Sequence, residues 1–100
     1  MTYNYKVDIP EEVQELYRKG LEKWGIVSLI DQVIEEMAEL TVKLQHLKRN
    51  NKGVTIEQVA EEAADVKIVI DRLFSAYIGI WEGEEWLDKK VDKLKEQLNK

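Results

Sequence analysis

The run Val59-Ala60-Glu61-Glu62-Ala63-Ala64-Asp65-Val66-Lys67-Ile68-Val69-Ile70 decides how this chain folds. At about 100° per residue, Val59, Ala63, Val66, Val69, Ile70 and Leu73 fall on one stripe, the mark of a helix that buries one face. Glu62 points between Val69 and Leu73 on that stripe, and Asp65 lies one turn along on its flank. An ionised carboxylate is costly to bury unless it is paired or bound to a metal, so packing alone would not select it there. The stretch specifies a core-facing helix with an acidic border.

The same construction occurs upstream, in Val33-Ile34-Glu35-Glu36-Met37-Ala38-Glu39-Leu40. Its stripe is Ile30, Val33, Met37, Leu40, Leu44 and Leu47. Glu36 takes the angle that Glu62 takes on the later helix, and Glu39 takes that of Asp65, while Glu35 and Glu61 point outward. Packing the two faces together would gather four carboxylates. Their mutual repulsion calls for a cation, and a ligand set made only of oxygen favours a hard one such as Mg²⁺, Mn²⁺ or Ca²⁺.

Working outward, Pro10 followed by Glu11 and Glu12 opens a first helix, because proline lacks the amide donor that is unneeded there and acids suit the positive end. That helix is predicted to run to about Trp24 and to break at Gly25. Ser28 is the expected cap of a second helix reaching about Lys48. Arg49-Asn50-Asn51-Lys52-Gly53 reads as a reversal, since asparagine and glycine accept a left-handed backbone. Thr55 with Gln58 makes a capping-box signature for a third helix that ends near Gly79. After Trp81-Glu82-Gly83, the positions Trp86, Leu87, Val91, Leu94 and Leu98 predict an amphipathic fourth helix. The expected fold is all-α, a single domain over residues 1–100. It is four-helix and bundle-like, with a central antiparallel pair whose apolar surface is completed by oligomerisation.

The composition fits this architecture. Of the 100 residues, 44% are hydrophobic and 35% charged, with one proline and no cysteine, which excludes a disulfide scaffold and a disordered chain. A reducing cytoplasm is the expected location. The net charge of −5 offers no broad basic surface for a nucleic-acid polymer. No stretch approaches transmembrane length, the first residues do not read as a secretory signal, and no glycine-rich phosphate loop is present.

Glu36-Met37-Ala38-Glu39, a gap of 22 residues, then Glu62-Ala63-Ala64-Asp65 resembles the ExxE…ExxD signature of the MazG-like all-α nucleoside triphosphate pyrophosphohydrolases. The similarity extends from about Trp24 through the fourth helix. It implies a MazG-type fold assembled as a homodimer or homotetramer, and hydrolysis of a nucleoside triphosphate to a nucleoside monophosphate and pyrophosphate. Glu36, Glu39, Glu62 and Asp65 would then hold Mg²⁺, with Mn²⁺ as a substitute, and form the catalytic centre. Gln32, one turn before Glu36, would contact base or sugar. On its own chemistry Trp24 either packs or stacks on a base. Lys90 would meet phosphate. The family's Asn-x-Lys-apolar-x-x-Arg pattern on the last helix is here Asp88, Lys90, Val91 and Leu94, so its asparagine and arginine are replaced.

A reading of a different class gives the acids structural work in a non-catalytic helical interaction module, where they would form intersubunit salt bridges to Lys43, Arg72 or lysines of the last helix. Lys48, Arg49 and Lys52 form a small basic loop that suits either a triphosphate or a solvated turn.

Overall fold

Helix boundaries follow the sequence's own punctuation. The computed structural model describes residues 4–50 and 53–100; Lys52 of the basic loop lies outside them. Helix α1 spans Glu11–Lys48, α2 spans Ile56–Arg72, a π-helical segment spans Leu73–Ile78, and α3 spans Ile80–Leu98. No strand is formed among the described residues.

The break expected at Gly25 is present, but it is a kink and not a loop. Gly25 takes φ 83° and ψ 167° inside α1, a conformation essentially reserved for glycine, and the helix resumes at once on the far side. Ser28 therefore lies within the helix and not at its cap, correcting the expected boundary. Asn50 and Gly53 have positive φ, as the reversal requires. Thr55 caps α2 in the predicted way: its hydroxyl accepts from the Gln58 amide, and the Gln58 side chain accepts from the Thr55 amide, both at 3.2 Å. Such a cap is worth about 1 kcal/mol.

The third helix does not run uniformly to its end. Past Arg72 it widens into the π segment, where the Gly79 amide donates to the Phe74 carbonyl five residues back. Gly79, at φ 112°, then starts α3 directly. Gly83, expected to precede the last helix, is buried in its first turn because the Phe74 ring packs on it; a Cβ there would lie 2.6 Å from Phe74 Cδ1.

α1 and α2 form the central pair. As position numbers rise along α1 they fall along its neighbour: Gln32 meets Arg72, Val33 packs in one cluster with Val69, and Glu36 meets Glu62 and Asp65. The pair is thus antiparallel. Leu29, Val33 and Val69 form the buried core, flanked by Leu21, Ile26, Ile70 and Leu73. α3 packs against the π segment and against neither α1 nor α2 directly. An extended stretch ahead of α1 closes the gap. The Val7 amide donates to Glu84 Oε2 at 2.8 Å, the Tyr5 amide donates to Asp88, and a groove of about 290 Å³ lies between this stretch, α2 and Leu87.

Only part of the apolar stripe expected on the second helix is covered. Val33 is buried and Leu40 half-buried, whereas Ile30, Met37, Leu44 and Leu47 are exposed. The chain exposes 7872 Å², against about 5,900 Å² for a folded monomer of this mass. Its radius of gyration is 16.0 Å, against about 13 Å for a compact domain of 100 residues. No helix among the described residues is long and apolar enough to cross a membrane.

Candidate metal centre

The antiparallel pairing of α1 and α2 brings their acidic borders face to face. One carboxylate oxygen each from Glu36, Glu62 and Asp65 lies within 4.8 Å of the other two. Three atoms so placed fit inside a circle of radius 4.8/√3, about 2.8 Å, close to the 2.3–2.6 Å typical of Ca²⁺ ligands and within a small side-chain adjustment of the 2.0–2.1 Å of Mg²⁺. Glu39, the fourth expected member, lies outside this triad, though its charge acts on Glu62. Glu36 and Glu62 are half-buried; Glu39 and Asp65 are exposed at the rim.

The electrostatics of the cluster are unresolved by protein partners. Oε2 of Glu36 and Oε2 of Glu62 are buried and accept no hydrogen bond. Burial raises the Glu36 carboxyl above its ordinary range, and the charges of Glu39, Asp65, Glu35 and Glu62 add to the effect. For Glu62 the same burial acts first, followed by the charge and hydrogen-bonding proximity of Glu39, then Asp65 and Glu61. All the neighbours push in one direction. Among the described residues the ion pairs join Arg18 to Glu15 and Glu22, Lys67 to Asp71, and Lys89 to Glu85, so none reaches the four acids. Glu36, Glu62 and Asp65 could hold a hard divalent cation, whose charge would satisfy the two orphaned buried oxygens.

Gln32 and Trp24 lie along α1 from this cluster. With Ser28 they line a shallow depression of about 270 Å³. The Gln32 carbonyl oxygen accepts from Arg72 Nη1 at 2.6 Å. Trp24 is 60% exposed, with Lys23 Nζ 5.7 Å from its ring centroid. The role expected of Arg72, a salt bridge to the acids, is therefore replaced by a contact to an amide. Its register explains this: Arg72 is level with Gln32, one turn beyond Glu36, and the carboxylates are out of its line.

Lys90 is exposed on α3, and the structure does not bring it to the acids. Asp88 accepts from the Tyr5 amide. The extended stretch that makes this contact carries an alternation of its own that reading for helices passed over: Val7 and Ile9 are sheltered, and Lys6 and Asp8 are exposed. No protein-family model, curated protein or solved structure matches the chain.

Proposed function

We propose that the chain is a divalent-cation-dependent nucleoside triphosphate pyrophosphohydrolase that releases a nucleoside monophosphate and pyrophosphate. The observation carrying this reading is the pair of buried, unpartnered oxygens on Glu36 and Glu62 beside Asp65. Together with the ExxE…ExxD pattern, they support Glu36, Glu62 and Asp65 as ligands of Mg²⁺ or Mn²⁺. A cation there supplies charge neutralisation at the phosphates and acidifies bound water. Glu39, beside Glu62 but outside the triad, is the carboxylate left to accept the proton released on attack. Lys90 is retained as a phosphate contact reached from α3 of a neighbouring copy.

The competing reading is a structural module whose acids pair with basic residues of a second copy; within one chain Arg72 is engaged with Gln32, and no ion pair among the described residues reaches the acids. The assembly proposed is a homodimer or homotetramer. Surface in excess of a monomer's, by about 2,000 Å², includes Ile30, Met37, Leu44 and Leu47, and is enough for a stable interface.

The test is pyrophosphate release from a panel of ribo- and deoxyribonucleoside triphosphates, with Mg²⁺ and with chelator. Glu62→Gln and Asp65→Asn should each lower turnover by more than about a hundredfold, beyond the loss typical of outer-shell metal partners, with helix content unchanged. Full activity in either variant would overturn the proposal.

A further inference from the structure

Two residues of extended chain advance about 6.6 Å, and four residues of helix advance about 6 Å. Amides at i and i+2 of an extended stretch therefore match carboxylates at i and i+4 of a helix lying beside it. The stretch ahead of α1 makes this match on α3: the Val7 amide donates to Glu84 Oε2 at 2.8 Å, and the Tyr5 amide donates to Asp88. The two segments run in opposite directions, since the earlier amide meets the later acid. Val7 and Ile9 also line, with Val66, Ile70, Phe74 and Leu87, the groove of about 290 Å³ between α2 and α3.

The rest of the anchoring of α3 is at its root. Gly79, at φ 112° and ψ 132°, joins it to the π segment, and the Phe74 ring lies against Gly83 one turn later. The helix packs on neither α1 nor α2, and beyond Asp88 every residue but Val91 and Asp92 is exposed. A helix fixed at one end by a glycine joint, and along its side by a short stretch from the far end of the chain, has an opening free energy of its own. We propose that residues 4–9 are a latch and α3 an arm. Release of the two amides lets α3 swing about Gly79 while α1 and α2 stay paired, and bares the apolar wall of Val66, Ile70 and Phe74. The device uses none of the acids of the candidate metal centre, so it stands apart from the hydrolase reading.

The chain has no cysteine, so spin labels can be placed on the full-length protein at chosen exposed positions without further change. Lys19→Cys with Lys95→Cys reads the arm, Lys19→Cys with Glu57→Cys reads the α1–α2 pair, and Lys6→Cys alone reads the latch. Pulsed dipolar spectroscopy on labelled chain diluted in excess unlabelled chain gives distances within one molecule. The arm distance should be narrow in the otherwise unaltered protein. Glu84→Ala/Asp88→Ala should broaden it, leave the α1–α2 distance unchanged, and sharpen the spectrum of the Lys6 label as the stretch comes free. Alanine favours helix, so a loss of α3 order in this variant cannot come from propensity. Glu85→Ala/Glu96→Ala removes the same charge from exposed sites on the same helix and should keep the arm distance narrow. Glu84→Gln/Asp88→Asn retains oxygen acceptors and should stay nearer the docked state. Hydrogen exchange in α3 should accelerate by about tenfold for each bond lost, a hundredfold in the double alanine variant, with core amides of α1 and α2 unaffected. An unchanged arm distance in Glu84→Ala/Asp88→Ala, or broadening of the arm and the α1–α2 distances together, would overturn the latch.

Discussion

Replacing Gly25 by alanine has an effect whose sign depends on the kink. In the interior of a regular helix, glycine to alanine gains roughly 0.8–1.0 kcal/mol through backbone entropy. At φ 83° and ψ 167° the same change places a Cβ in a region that only glycine occupies freely, at a cost of roughly 1–3 kcal/mol. No steric collision contributes, because nothing lies within 4 Å of the added atom. The cost is therefore conformational, and Gly25→Ala should lower the thermal midpoint by roughly 4–8 °C for each kcal/mol. Gly20→Ala is the internal control on the same helix. Gly20 has no positive φ, and its added Cβ would meet Trp24 at ordinary contact distance. That substitution should be neutral or stabilising. Melts followed by circular dichroism at 222 nm read both variants. A Gly25→Ala protein that melts at or above the wild-type temperature would refute the kink as a built feature of α1.

Metal-free stability should depend on pH through Glu36 and Glu62. Both carboxyls are raised in the folded chain, so the native state keeps protons that the unfolded chain has released. Their contribution is complete below the unfolded glutamate value, about 4.3, and is lost as pH rises through the raised folded values. In chelator, the gain in melting temperature of Glu36→Gln/Glu62→Gln over wild type should grow toward neutral pH; a constant difference would contradict this. Glu84→Ala removes the acceptor of the Val7 amide and should cost about 1–2 kcal/mol, near the lower end for hydrogen bonds to charged groups. Hydrogen exchange in α3 should accelerate more than in α1. Gly83→Ala drives a Cβ into the Phe74 ring and should cost roughly 1–3 kcal/mol by overpacking, seen as a lowered denaturant midpoint.

The all-helical character, the capping box at Thr55, the reversal at Asn50 and Gly53, and the convergence of Glu36, Glu62 and Asp65 were legible in the sequence. Each depends on local chemistry or on a helical angle, and both are properties of short segments. Two kinds of feature were not legible. Gly25 announces an interruption, but glycine alone does not distinguish a one-residue kink from a loop, and the cap expected at Ser28 is not formed. Arg72 has the charge to pair with the acids, but which neighbour it reaches is set by the register between two helices. The extended stretch holding α3 escaped notice because its alternation covers few residues and its partners, Glu84 and Asp88, are far away in sequence. Leu29, the most buried side chain among the described residues, is off the expected stripe because the face that packs on α2 runs through Leu29, Val33, Glu36 and Leu40, a rotation set by the register between the two helices.

The central claim is that Glu36, Glu62 and Asp65 share one divalent ion. Titrating the chelator-treated protein into Mn²⁺ and following the aquated-ion signal by electron paramagnetic resonance tests it most directly. The signal should fall in proportion to chain concentration, recover on addition of excess Mg²⁺, and stay undiminished with Glu62→Gln or Asp65→Asn. A wild-type protein that leaves the signal intact, or a variant that captures Mn²⁺ equally well, would contradict the account.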